Sequence, residues 1–308
     1  MCDLKNENRR YWLSAAQVLK CLPKRKRNSH KGSYGKAAIV AGSLEYTGAA
    51  YLSAAACLRS GAGYTTLFVP AKILPYYILK SPEILLKASN EGTMYAFNEE
   101  IMGQVCEYDA VAYGMGMGIS REVANGAAFL LRRYTGKLIL DADGLNSLSV
   151  YYKATLFELF KNAKCDVVLT PHIQEFSRIS GLTVEEILQA DLQAAQPFAK
   201  QNSVTLLLKN AATIVTDGEK TAVNFAGNSG QAKAGSGDVL SGVIAGLCAQ
   251  GASGFDGGCA GTFLCGKAAE IAAAVLGEYS LTASDCIEKL GEAFLFVTQH
   301  AHKNGGEE

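Results

Sequence analysis

Short apolar runs alternate along the chain with longer stretches in which apolar residues recur at helical spacing. Strands are predicted at Ala37–Ala41, Thr65–Val69, Ala110–Tyr113, Lys137–Leu140, Asp166–Leu169 and Val204–Leu208. Two shorter runs, Ile214–Thr216 and Ala222–Phe225, predict a hairpin across Asp217-Gly218. Helices are predicted at Gly48–Ser60, Arg121–Tyr134, Lys153–Lys161, Val184–Gln201, Asp238–Gln250, Phe255–Leu276 and Ala283–His302. Several strand runs are apolar throughout, as happens when both faces of a sheet are covered. The alternation predicts an α/β fold, with a largely parallel sheet between two helical layers. No repeat or linker divides it. One domain is therefore expected over 28–303, after a lead at 1–27 and before a polar tail at 304–308.

Ligands of such folds gather beyond the carboxyl ends of the strands. Polar or glycine-rich segments follow five of the runs: Gly42-Ser43, Gly114-Met115-Gly116-Met117-Gly118, Asp141-Ala142-Asp143, Thr170-Pro171-His172 and Lys209-Asn210-Ala211-Ala212-Thr213. These are expected to converge on one rim.

Composition narrows the setting. The 308 residues are 49% hydrophobic, and 29 basic residues balance 29 acidic ones, which gives no global attraction to nucleic acid or to an acidic membrane. The run Lys24-Arg25-Lys26-Arg27 reads as a solvated basic face. Nine cysteines occur without a C-x-x-C pair, a pattern of reduced packing cysteines and not of a disulfide framework or zinc site. Met1–Arg10 is polar, unlike a signal peptide, and no run approaches the roughly 18 apolar residues of a membrane span. A cytoplasmic location is expected.

The most informative segment is Gly235-Ser236-Gly237-Asp238, directly before the apolar, small-residue stretch Val239–Gly246. A helix starting there offers unpaired N–H groups and the positive end of its dipole to a phosphate or oxyanion. The dipole is expected to favour ionised Asp238, able to take a proton from a hydroxyl or to hold it. The same residues also read as an N-cap aspartate with packing glycines. Lys209 reads either as a phosphate ligand or as a solvated lysine at a strand end. His172 reads as a substrate donor or a structural histidine, with Glu175 as a helix N-terminal acid. Asp141 and Asp143 read as phosphate or substrate contacts, or as a turn with an N-cap. No Walker A loop, no G-x-S-x-G elbow and no G-x-G-x-x-G fingerprint is present.

Taken in order, the segments resemble one family. They are His30-Lys31-Gly32-Ser33-Tyr34-Gly35; Val40-Ala41-Gly42-Ser43 with Tyr46-Thr47-Gly48-Ala49-Ala50; Arg59-Ser60-Gly61-Ala62-Gly63; Gly114-Met115-Gly116; Asp141-Ala142-Asp143-Gly144-Leu145-Asn146; Thr170-Pro171-His172 with Glu175; Lys209 through Thr213; Gly227-Asn228; and Ala234-Gly235-Ser236-Gly237-Asp238. Over roughly residues 28 to 300 the chain resembles the ADP- or ATP-dependent NAD(P)H-hydrate dehydratases of the ribokinase-like superfamily. The resemblance implies a three-layer α/β/α sandwich. It implies that Lys209, Asn210, Ala211, Ala212, Thr213 and Gly237 line an adenine-nucleotide site. Ala49, Gly116, His172 and Asp238 would bind the hydrated nicotinamide (NADHX or NADPHX), with Asp238 catalytic. ADP or ATP with Mg2+ would drive repair of the (S)-epimer to NADH or NADPH, and no residue is assigned as a metal ligand. A homo-oligomer, a homotetramer, is implied, with an epimerase on a separate protein. Ser236 stands where threonine is usual, Met115 where proline is, and Asn210 where glycine is. Two rivals share the site: a ribokinase-like kinase of a vitamin precursor alcohol, and a nucleotide-binding regulator without turnover.

Overall fold

The computed structural model describes residues 9–300, with side chains from residue 11 onward. The tail expected at 304–308, the end of the helix expected at Ala283–His302, and Cys2 lie outside the described residues. Strands β1 (Arg9–Trp12), β2 (Lys36–Val40), β3 (Tyr64–Val69), β4 (Leu85–Ala88), β5 (Ala110–Tyr113), β6 (Lys137–Leu140), β7 (Asp166–Leu169), β8 (Thr205–Leu208), β9 (Thr213–Thr216) and β10 (Lys220–Asn224) form one sheet. Its order is β1-β10-β9-β8-β7-β6-β5-β2-β3-β4. Only β9 runs against its neighbours, through the expected hairpin. The helices are α1 (Ala15–Cys21), α2 (Thr47–Arg59), α3 (Glu99–Val105), α4 (Arg121–Arg133), α5 (Ala142–Tyr151), α6 (Leu156–Lys161), α7 (Ile173–Ser180), α8 (Val184–Gln189), α9 (Asp191–Asn202), α10 (Ser236–Ala249), α11 (Gly254–Leu276) and α12 (Ala283–His300).

The strands' apolar runs are apolar because each feeds two cores. In β2, Ala37 and Ile39 enter a core shared with α1, α2, α10, α11 and α12. Ala38 and Val40 enter a second core shared with helices α3 to α9. Successive side chains of a strand point to opposite faces, so one run builds both layers of the sandwich. Strand β2 pairs with β3 on one side and β5 on the other, so the chain reverses direction across the sheet there. That reversal opens a crevice beyond the carboxyl ends of β2 and β5.

The structure departs from the sequence reading at several places. The expected lead supplies β1, which pairs in parallel with β10, and α1, which is closed by a Ser14–Gln17 capping box and packs on α11 and α12. The helix expected at Val184–Gln201 breaks at Ala190 (φ −151°) and restarts where the Asp191 carboxylate accepts the Leu192 N–H. Helices α5 and α7 begin inside segments that read as turns, and β4 is a half-exposed edge strand with weak patterning. Helix α11 is long and apolar enough to cross a membrane by length and composition, contrary to the run-length reading. Here it is a core helix, with the residues from Phe255 to Ala268 that face the sheet and α10 buried. The eight cysteines among the described residues are free.

Helices α2 and α10 meet backbone to backbone. A Cβ on Gly242 would lie 2.1 Å from the Ser53 carbonyl oxygen, and one on Gly246 would lie 2.6 Å from that of Cys57. The two glycines sit one turn apart on the same face of α10, so only hydrogen fits along this seam. Gly242→Ala is expected to destabilise the protein by about 2–3 kcal/mol through overpacking. Gly103→Ala, in α3 with nothing within 4 Å of the added carbon, is expected to stabilise it by about 0.5–1 kcal/mol. Paired urea denaturation curves check both signs.

Candidate active site

Two strand ends and helix α10 meet at a buried ionic knot. Asp141, just past β6 and 1% exposed, caps α5 by accepting the Ala142 N–H at 2.9 Å. Its Oδ1 also accepts from Lys209 Nζ, just past β8, at 2.9 Å. Its Oδ2 accepts from Ser241 Oγ of α10 at 2.7 Å. Burial pulls the Lys209 ammonium down, but the carboxylates of Asp141 and Glu175 outweigh it and hold Lys209 above its usual value. Lys209 is thus a paired, largely enclosed cation and not a solvated strand-end lysine. Asp141 is the expected N-cap and also a partner of Lys209.

The N-terminus of α10 lies on this knot. A Cβ on Gly237 would meet Lys209 Nζ at 3.3 Å. Gly235 is the N-cap, left-handed at φ +97° and without a capping side chain. The first-turn N–H groups therefore have no intrahelical acceptor and no side-chain cap, as an anion site requires. Asp238 is in the first turn and does not cap the helix, which corrects the capping alternative. Burial, then the charge of Asp141, pushes its carboxyl up to about 7 against the pull of Lys209. The helix dipole is expected to favour ionised Asp238, and dehydration and acidic neighbours act in the opposite direction.

A cleft of about 990 Å³ opens over these groups. Of the expected residues, His172, Lys209, Asn210, Ala211, Thr213, Gly237 and Asp238 line it, and Ala212 does not. Ala49 and Gly116 are not on its wall but meet each other at the β2/β5 crevice: a Cβ on Gly116 (φ +62°) would lie 2.8 Å from that of Ala49. Gly42 N–H donates to the Met115 carbonyl at 2.8 Å and ties the two crevice loops together. One turn along α2 from Ala49, Leu52 reaches the position of a Cβ on Gly235. Asp143 accepts the Gly118 N–H at 2.8 Å, and burial holds its carboxyl above the usual range.

His172 is the N-cap of α7. Its Nδ1 accepts the N–H groups of Gln174 and Glu175 at 3.1 and 3.3 Å. Its own N–H donates to Glu175 Oε2 at 2.9 Å, and Nε2 faces Glu175 Oε1 at 3.3 Å. Burial and the charge of Lys209 lower its pKa, so the ring is neutral with its proton on Nε2. Burial raises the Glu175 carboxyl. The structural reading of His172 holds: Nδ1 is committed to the cap and Nε2 faces Glu175, and the half-exposed ring is on the cleft wall.

Sequence reasoning missed Ser241, which reads as one more small residue in a packed helix. It also missed Ala142, which is left-handed at φ 47° on the cleft wall, a conformation no alanine advertises. The far wall, Asn224 to Ser229 with Thr262, Cys265 and Gly266 of α11, was absent from the assignments too. Only Gly227-Asn228 carried a signal there. Among the described residues, no group of three His, Cys, Asp or Glu side chains is arranged to hold a metal ion.

A mostly parallel sandwich with a glycine-capped helix aimed at a strand-end cleft is the ribokinase-like arrangement. A ribokinase-like superfamily protein of Enterococcus faecalis shares the fold, with TM-score 0.75 at 24% identity over 97% of this chain and 99% of that one. A family model described as NAD(P)H-hydrate dehydratase matches residues 37–291, and the chain belongs to that family. It is 35% identical over 276 residues to the ADP-dependent (S)-NAD(P)H-hydrate dehydratase of Neisseria meningitidis serogroup B, covering 87% of this chain and 88% of that protein. Against the bifunctional NAD(P)H-hydrate repair enzyme Nnr of Thermofilum pendens it is 36% identical over 277 residues, 88% of this chain and 52% of that protein. The chain thus spans about half the length of the bifunctional curated relatives it matches. The ADP/ATP-dependent NAD(P)H-hydrate dehydratase of Bacillus subtilis, co-crystallised with ATP and Mg2+, superposes with TM-score 0.80 at 25% identity, over 93% of this chain and 98% of that one.

The raised Asp238 pKa has a stability consequence. Its folded value of about 7 lies above the ordinary 3.8, so the native state binds the extra proton between them. Stability is therefore lost as pH rises through that window. Asp238→Asn, which cannot ionise, is expected to melt several degrees above the parent at pH 8, with the gap closing toward pH 4. Melting curves across that range check it, and a gap that widens on acidification would contradict the assignment.

Proposed function

We propose that the chain is a nucleotide-dependent dehydratase that returns the (S)-epimer of hydrated NADH or NADPH to the intact cofactor, with ADP giving AMP and phosphate. The observation that carries this reading is Asp238, poised near neutrality in the first turn of α10, beside the Lys209–Asp141 pair and over the cleft. The Neisseria relative's ADP dependence supports ADP, and the Bacillus neighbour's ATP/Mg2+ complex leaves ATP as the alternative.

In this reading the N–H groups at Gly237 and Asp238 hold the terminal phosphates, and Lys209 supplies the facing positive charge. Asn210, Ala211, Ala212 and Thr213 shape the nucleotide side. Ala49, Gly116 and His172 shape the substrate side. Asp238 takes the proton of the ring hydroxyl as its oxygen attacks the terminal phosphorus, and the shortened nucleotide leaves. The phosphate ester then loses phosphate and a ring proton, and the double bond re-forms. Asp141 is fully committed to Lys209, Ser241 and Ala142, and among the described residues no three His, Cys, Asp or Glu side chains are arranged as a metal cage. Magnesium bound with the nucleotide would neutralise phosphate charge. Ligand identity, oligomer assembly as a homotetramer and a cytoplasmic location belong to this proposal.

The test is to incubate the protein with hydrated NADH and ADP or ATP and follow dihydronicotinamide absorbance and free phosphate. Recovery with release of one phosphate per ring is expected. No recovery with either nucleotide sinks the reading, and stable phosphorylation of an alcohol instead would install a kinase. The rate at low substrate should rise with pH through about 7 as Asp238 ionises. Asp238→Asn should cut turnover by about a hundredfold or more while nucleotide affinity holds.

A further inference from the structure

The cleft has an aromatic rim that the assignments above leave unused. Phe225 is on the cleft wall and is 63% exposed. Trp12 is 64% exposed and stands beside it, with ring centroids 5.1 Å apart and planes tilted by 48°. Two large aromatic side chains, each mostly in water and in contact only part-way, form an apolar surface that folding has not covered. The backbone on either side of the two rings is tied to its surroundings. Gly227 N–H donates to Glu270 Oε1 at 2.9 Å, Asn228 Nδ2 donates to the Ala269 carbonyl at 3.1 Å, and Asn224 Nδ2 donates to the Ala226 carbonyl at 3.1 Å. A Cβ on Gly266 would lie 2.2 Å from the Ala226 carbonyl oxygen, so α11 presses directly on the backbone next to Phe225. Trp12 is held from the other side, because β1 pairs with β10 at Trp12↔Val223 and Leu13 N–H donates to the Val223 carbonyl at 3.0 Å.

An exposed ring on the wall of a cleft that also presents helix N–H groups and a lysine suits a ligand that is flat at one end and anionic at the other. We propose that Phe225, backed by Trp12, is the platform on which the base of the adenine nucleotide stacks. This deepens the nucleotide-dependent reading and rests on it. Trp12 lies outside the residues 37–291 matched by the family model, so membership alone does not supply it. The N-terminal strand, which pattern reading set aside as a lead, becomes part of the binding site. Stacking on a pre-positioned ring supplies a useful share of a nucleotide's affinity.

Trp12 is the single tryptophan of the chain, so its emission reports on this rim alone. Titration with ADP is expected to quench or shift that emission with the same midpoint as calorimetric binding. Inorganic pyrophosphate, which has the anionic end without the base, is expected to bind without that optical change. Phe225→Ala should raise the ADP Kd by about tenfold to a hundredfold and leave the pyrophosphate Kd unmoved, and Phe225→Tyr should restore ADP binding. ADP binding that neither perturbs Trp12 nor depends on Phe225 overturns the platform, as does failure of ADP to bind at all. Phe225-dependent ADP binding by a protein that restores no dihydronicotinamide supports the platform and counts only against the proposed reaction.

Discussion

The Asp141 carboxylate is the contact on which the site depends. It is buried, and it joins Lys209 beyond β8, Ser241 on α10 and the start of α5. A buried carboxylate is tolerable only with its charge matched and its lone pairs occupied, and here both conditions hold. Removing any partner leaves a dehydrated charge, so the three elements are locked in one relative position. The lock sets where the first turn of α10 ends and hence where Asp238 stands. Helix α10 is fixed from behind as well, because Gly242 and Gly246 admit α2 to backbone contact. Asp238 is therefore placed by a polar knot on one side and a steric seam on the other.

The same knot makes the neighbourhood crowded with acid. Asp141, Asp143 and Glu175 all lie close enough to Lys209 or Asp238 to shift them, and Lys209 is the cation that faces them at the strand ends. Burial is the first cause of the raised values at Asp238, Asp143 and Glu175, and the charge of Asp141 adds to each. Functional sites are where such shifts concentrate, at some expense in stability.

Much of this was legible in the chain, and what was not has physical reasons. The central strands declare themselves because burial on both faces makes most of their positions apolar. Asp238 is conspicuous because glycines precede it and a small-residue helix follows. Its capping role was misjudged by one turn: Gly235 can adopt φ +97° and so takes the cap itself. Ser241 gave no signal, since its only distinguishing contact is with a residue a hundred positions away. Trp12 was passed over because four residues of β1 carry no periodicity, and its meaning arises only when β10 comes alongside. Helix α5 was hidden because Asp141-Ala142-Asp143-Gly144 has the composition of a turn, and tertiary contacts at Lys209 and Gly118 override that local preference.

The acid crowding bears directly on the proposed chemistry. An ordinary aspartate is a feeble base at neutral pH, because holding a proton costs it about 4 kcal/mol relative to water at that pH. Near pH 7 the Asp238 of this site holds a proton at almost no cost, since protonation removes a buried charge and then its repulsion with Asp141 and Asp143. In the proposed reaction the hydroxyl proton moves to Asp238 as negative charge moves toward the phosphate. The strain of three neighbouring carboxyls is then relieved at the moment the nucleophile forms, while the N–H groups of α10 and Lys209 meet the charge that leaves it. Burial and like charge, which destabilise the resting protein, thus act in the forward direction of the step.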